Sequence, residues 1–174
     1  MDLVLIRHPA VAVPKGTCYG QQDVPLLPGW TSALDALKPE WFCEQDGVYS
    51  SPSLRCLLPA KHWGLEPVHI SPALMELHFG AWEGRNWNEI PARELTPWME
   101  AFWEARPPGG ESMPDLQRRV SEWLQVIRRL SYSRLIVFTH AGVIRTLKGL
   151  LEDIPSKELF SIQVPHLHPF FFTV

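Results

Sequence analysis

The chain is short of the features that would set it apart from an ordinary globular protein. It has only three cysteines, Cys18, Cys43 and Cys56, in 174 residues. They are odd in number and lack the short paired spacings of a zinc site or a disulfide framework, which points to reduced thiols. No apolar stretch approaches the ~20 residues that a membrane helix needs. Asp2 and a strand-length apolar run stand where a signal peptide would need a basic start and a longer core. These absences predict a cytoplasmic protein that does not engage a membrane. An excess of charge of one sign is also missing: the formal net charge is -3, and without a basic face or stripe no nucleic-acid partner is expected. There is no internal repeat and no low-complexity segment. Hydrophobic residues make up 45% and charged residues 20%, too apolar for disorder. The length fits one domain, residues 1–174, which at this size buries roughly 70% of the surface exposed by the unfolded chain.

What the chain does have is a pattern that occurs twice. Leu3-Val4-Leu5-Ile6 runs straight into Arg7-His8, and Leu135-Ile136-Val137-Phe138 runs straight into Thr139-His140. Four large apolar residues in a row are how a strand reads when a parallel sheet is covered on both faces. Each histidine therefore falls at a strand end. In open α/β sheets the carboxyl ends of the strands form the rim where ligands bind, and neighbouring strands lie only about 5 Å apart. Two such tips can aim two imidazoles into one crevice. An arginine beside a nucleophile-capable histidine there points to chemistry on an anion, above all a phosphate.

The remaining elements alternate in the same way. Pro9 to Pro28 reads as a binding loop, since it is too long for an idle connection. A helix is expected near Gly29 to Leu37 and a short strand at Gly47 to Ser50. Ser51-Pro52 then looks like an N-cap with proline at the first helical position. Arg55 falls in the first turn of that helix, and Pro59 is expected to kink or tighten it. Val68 to Ile70 is a further strand. Pro91 and Pro97 break the tryptophan-rich stretch from Trp87 to Trp103 into short helices. Ser112 and Asp115 resemble a capping arrangement. Behind them Met113, Leu116, Val120, Trp123, Leu124, Ile127 and Leu130 recur at the steps of an amphipathic helix. Another helix follows from about Gly142, and Phe170 to Val174 closes the chain as a strand. The fold predicted is α/β, a three-layer sandwich with a mostly parallel central sheet and helices on both faces.

Phosphoryl chemistry needs particular residue types, and the chain offers them. Arg7 and Arg55 suit the phosphate because a guanidinium grips two oxygens at once. His8 is the candidate nucleophile, since a neutral imidazole can attack phosphorus. His140 would stabilise the equatorial oxygens as charge redistributes, and Ala141 beside it is a further phosphate-binding candidate. Glu76 is the candidate proton donor to the leaving oxygen, a role that needs a setting favouring its protonated form. His62, His69, His78, His166 and His168 read as structural or solvent-facing, with no spacing that completes a metal site.

Six stretches in order strengthen this reading: Arg7-His8, Gly20 to Leu26, Ser50-Ser51-Pro52 with Arg55, Glu76 to Gly84, Pro108 to Ser112, and Thr139 to Arg145. Their succession resembles the histidine phosphatase superfamily, which includes phosphatases and phosphoglycerate mutases. The resemblance implies a phosphohistidine at His8, phosphate contacts from Arg7, Arg55 and His140, Glu76 as acid and then base, and no metal or other cofactor. The chain departs from the family where Gly-Glu-Thr commonly follows the Arg-His pair and an asparagine stands shortly beyond. Here Pro9-Ala10-Val11 and Pro14 occupy those places and offer no equivalent donors. Thr17, Tyr19 and Gln21 are the candidates to replace them, and Trp82, Trp87 or Tyr19 could stack on an aromatic leaving group. Arg-His-Pro with Gly16-Thr17-Cys18-Tyr19-Gly20 is similar to the α-ribazole phosphatase branch. The partner implied is a small, nucleotide-like phosphate ester. A mutase, a protein phosphohistidine phosphatase and a catalytically silent binding module are the competing readings. The sequence is silent on oligomeric state.

Overall fold

The computed structural model describes residues 1–37 and 47–174, so Cys43 lies outside the described residues. Five strands form one sheet: β1 (Asp2–Arg7), β2 (Gly47–Ser50), β3 (Val68–Ile70), β4 (Arg134–Thr139) and β5 (Pro169–Thr173). Their order is β3-β2-β4-β1-β5, parallel except for β5, which runs antiparallel to β1. The helices are α1 (Trp30–Asp35), α2 (Leu54–His62), α3 (Ala92–Glu100), α4 (Met113–Ile127) and α5 (Ala141–Glu152).

The two apolar runs pair residue for residue, Leu3 with Leu135 through Arg7 with Thr139. Alternate residues of a strand point to opposite faces, and the core divides accordingly. Leu3, Leu5, Leu135 and Val137 pack with α4 and α5, while Val4, Ile6, Ile136 and Phe138 pack with Leu34 of α1 and Cys56 and Ala60 of α2. The three-layer sandwich is therefore as expected. Because every residue from Leu3 to Ile6 and from Leu135 to Phe138 is fully buried, both strand tips are held by packing on two sides. Among the described residues, no helix is long and apolar enough to cross a membrane.

Two local expectations shift. The helix after β2 starts at Leu54, not at Ser51-Pro52, and its first free amide is met from far away: Leu54 N–H donates to Asp23 Oδ1 at 2.9 Å. That carboxylate lies 31 residues upstream, beyond the reach of a local capping rule. The helix also runs through Pro59. The tryptophan-rich stretch becomes one turn of 3₁₀ helix at Trp87–Glu89 followed by α3, which continues through Pro97. Ser112 and Asp115 do join as expected, with Ser112 donating through both N–H (3.0 Å) and Oγ (2.6 Å) to Asp115 Oδ2.

Candidate active site

The pairing of β1 with β4 brings Arg7-His8 and Thr139-His140 to one end of the sheet, and His8 N–H donates to Thr139 O at 3.0 Å. The rings of His8 and His140 are in edge-to-face contact, with centroids 5.2 Å apart. Beside His8 opens a cavity of about 350 Å³, lined on its polar side by Arg7, His8, Thr17, Arg55, Glu76 and Arg145. Tyr19, Phe79, Trp87 and Phe160 supply aromatic wall, and Ala141 and Gly142 the start of α5.

His8 is almost wholly buried, and its Nδ1 lies 2.7 Å from the carbonyl oxygen of Pro9. A carbonyl only accepts, so Nδ1 carries the proton and the Nε2 lone pair is free. Burial, then the nearby Arg55 charge, hold the imidazole well below its ordinary value of 6.5, against a smaller opposing effect of the Pro9 hydrogen bond. The proline that removes a donor after the Arg-His pair thus contributes an acceptor instead. His140 is fully buried, and its pKa is likewise held down, first by burial and then by Arg55. Its Nε2 is 2.8 Å from the Ser51 hydroxyl, so it sits behind His8 and not on the cavity wall.

Both arginines are tethered by carbonyls. Arg7 Nη1 donates to Val164 O at 2.6 Å, while Arg55 donates from Nη1 to Gln22 O at 2.8 Å and from Nη2 to Gly20 O at 2.5 Å. The Nε–H of each is buried without a hydrogen-bond partner. Glu83 anchors the loop that holds Arg55, accepting Gln21 N–H (2.9 Å), Gln22 N–H (2.6 Å) and Phe79 N–H (2.9 Å). Glu76 accepts Leu77 N–H at 2.9 Å, and Gly142 N–H lies 3.1 Å from each of its oxygens. A Cβ at residue 142 would collide with Glu76 Oε1, so glycine there permits the approach.

The candidates for substrate contact divide. Thr17 and Tyr19 reach the cavity, the latter with its ring centroid 5.5 Å from the Arg55 guanidinium carbon. Gln21 does not line it: its Nε2 donates to Glu76 O at 3.1 Å. Trp82 does not either; it is buried in a cluster with Cys18 and Ile90, and its Nε1 donates to Glu94. The 3₁₀ turn over Gly80–Trp82 turns Trp82 inward and leaves Phe79 and Trp87 on the wall. Two residues with no assigned role in the sequence reading also belong here. Arg145 lines the cavity from α5, its Nε donating to Ile162 O at 3.0 Å. It lies within the Thr139-to-Arg145 stretch, which was the available signal. His166, which reads from the sequence as structural or solvent-facing, packs beside His8 with the rings tilted and their centroids 5.1 Å apart, and no local pattern marks it.

The depressed pKa values of His8 and His140 make stability depend on pH. Near and below pH 6.5 the unfolded chain takes up protons that the folded one refuses, so stability is complete above that value and falls as pH drops toward the folded pKa values. The urea midpoint is therefore expected to fall between pH 7 and pH 5.5, and to fall less in His140→Gln. An equal fall in both proteins would remove His140 as a cause.

The chain belongs to the histidine phosphatase superfamily (branch 1), whose family model matches residues 3–169. An adenosylcobalamin/alpha-ribazole phosphatase of Salmonella typhimurium is 29% identical over 102 residues, covering 56% of this chain and 50% of that protein, so the match spans half that relative's length. A 2,3-bisphosphoglycerate-dependent phosphoglycerate mutase of Methanococcus vannielii is 28% identical over 208 aligned positions, covering 94% and 86%. The crystal structure of the alpha-ribazole phosphatase from Shigella flexneri superposes with a TM-score of 0.87 at 24% identity, covering 100% of this chain and 91% of that one. At that identity the likeness concerns the fold.

Proposed function

We propose that the protein is a phosphomonoesterase that works through a phosphohistidine at His8 and takes α-ribazole 5'-phosphate as its substrate. The observation that carries this reading is a neutral His8, held by the Pro9 carbonyl so that Nε2 is free, beside two arginines that line the same cavity.

In the first step the Nε2 lone pair forms a bond to phosphorus as the bond to the leaving oxygen breaks, and Glu76 passes its proton to that oxygen. The dianionic charge is held by Arg7 and Arg55, with a donor from the start of α5 at Ala141. His140 braces His8 from behind through ring contact. In the second step Glu76 takes a proton from water, the water oxygen bonds to phosphorus, and the N–P bond breaks to release inorganic phosphate. The alcohol part of the ester lies along Tyr19, Phe79, Trp87 and Phe160, a wall suited to a flat heteroaromatic group.

The test is a substrate panel in the presence of EDTA, including α-ribazole 5'-phosphate, other nucleotide esters and phosphoglycerates. α-Ribazole 5'-phosphate is expected to show the highest kcat/KM. A rate confined to 3-phosphoglycerate, with its phosphoryl group moved and not released, would replace hydrolysis with the mutase reaction toward which the Methanococcus similarity points. Glu76→Gln is expected to slow alkyl phosphates about 100-fold or more, the usual range for a positioned acid, and p-nitrophenyl phosphate much less, because its leaving group needs no proton. Equal slowing of both would assign the proton to another residue.

A further inference from the structure

β5 runs antiparallel to β1 with Pro169 opposite Ile6, so the chain leading into β5 passes the tip of β1 where Arg7 and His8 lie. Residues 164–167 make three hydrogen bonds there. Val164 O accepts from Arg7 Nη1 at 2.6 Å, Leu167 N–H donates to Arg7 O at 3.0 Å, and His166 Nδ1 lies 2.8 Å from His8 O. Since the carbonyl only accepts, His166 Nδ1 is the donor. Leu167 has φ +57°, a left-handed conformation unfavourable for a residue with a side chain. It is held there by its bond to Arg7 and by packing against the Val4 and Ile6 face. This turn presents His166 to His8.

With that contact, His8 is pinned at every polar atom but one. Its N–H is on Thr139, its carbonyl on His166 and its Nδ1–H on Pro9. The His166 ring lies 5.1 Å from the His8 ring, tilted by 56°. Among the described residues, Nε2 is the one polar atom of His8 without a hydrogen bond. We propose that His166 is a positioning residue for the nucleophile: its Nδ1–H fixes the His8 carbonyl and its ring limits rotation of the imidazole, so that Nε2 stays aimed at phosphorus. This role rests on the phosphohistidine reading above. It does not place His166 on the substrate, because His166 does not line the cavity.

The test pairs two substitutions. His166→Leu keeps bulk and removes the donor, whereas His166→Asn retains an N–H able to reach the carbonyl. His166→Leu is expected to lower kcat about 10- to 100-fold, the scale of a misplaced reacting group, with KM changed less than about twofold because the arginines still hold phosphate. His166→Asn is expected to recover kcat to within about threefold of the unaltered enzyme, as a restored donor should. A His166→Leu enzyme with normal kcat overturns the proposal, as does a loss in KM alone or an asparagine variant as slow as the leucine one. Long-range ¹H–¹⁵N spectra of the unaltered protein at neutral pH provide a second reading that needs no variant to fold. They are expected to show His166 protonated at Nδ1, and an unprotonated Nδ1 overturns the proposal. An unaltered enzyme that hydrolyses no phosphomonoester sinks the phosphatase reading and this role together, whereas failure of the His166 variants in an active enzyme sinks this role alone.

Discussion

His8→Ala is expected to lower turnover of every phosphomonoester by roughly four orders of magnitude or more, the scale seen when a covalent nucleophile is removed, and to abolish acid-labile phosphate on the protein. The reason is the lack of a substitute among the described residues. Cys18 lines the cavity, but burial and the nearby Glu83 charge push its thiol up to about 12, so it carries almost no thiolate at neutral pH. Cys56, buried against His140, is pushed up further by burial. His140 lies behind His8 with Nε2 near Ser51, and His166 Nδ1 faces a carbonyl. Rapid quench with ³²P-labelled substrate, followed by alkali and acid treatment, measures the intermediate directly. Labelling of His8→Ala to the wild-type extent would falsify the phosphohistidine mechanism. His140→Ala, by contrast, should label more slowly but still label, because it removes a brace and leaves the nucleophile.

The second large effect is expected at Arg119, which touches no part of the cavity. It donates to Ala73 O and Met75 O at 2.7 Å each, to Glu76 O at 2.9 Å, and to both oxygens of Glu111 at 2.9 Å. Glu111 in turn accepts His78 N–H at 3.1 Å. The segment from Ala73 to His78 has no regular ladder beyond a single 3₁₀ turn at Pro72–Leu74, so this one guanidinium and its carboxylate shape the backbone that carries Glu76. Arg119→Met would leave the Ala73 and Met75 carbonyls without their donor, leave Glu76 O to Gln21 Nε2, and leave the partly buried Glu111 carboxylate with His78 N–H but no counter-charge. Breaking a fully buried ion pair costs about 3–5 kcal/mol. Partial exposure of both side chains, 18% and 23%, reduces that, and a loss of roughly 2–3 kcal/mol in urea unfolding is expected. The melting temperature should fall by about 5–10 °C. Activity on alkyl phosphates should drop further than activity on p-nitrophenyl phosphate, because the displaced group is the proposed proton donor. A stability loss under about 1 kcal/mol would show that the segment holds its shape by packing alone.

Arg119 also illustrates why part of the site was hidden from sequence reading. It sits on a well-marked amphipathic helix, where an arginine between apolar positions reads as a solvated residue. Its role appears only when the irregular segment from 73 to 76 is laid across that helix. Ser51 is a similar case: its neighbour Pro52 makes it look like a helix cap, yet its hydroxyl lies beside His140, 89 residues away. Of the tryptophans, Trp82 and Trp87 stand in equally aromatic surroundings in the chain. The turn between them sends the first into a buried cluster and the second to the cavity wall.

By itself the sequence determined the layered α/β fold and the covered strands, with His8 and His140 at their ends. Each follows from short-range patterns: an uninterrupted apolar run defines a doubly covered strand, and the polar residues at its end have nowhere to go but the rim. The tertiary structure alone decided that the Pro9 carbonyl sets the tautomer of His8, that Arg119 and Glu83 shape the loops behind the site, and that His166 closes on His8. Apart from the Pro9 carbonyl, which is next in sequence and is turned onto His8 by the irregular backbone there, those contacts join residues many positions apart through loops of irregular conformation. Their geometry depends on the packing and register of the whole sheet, which no local periodicity encodes.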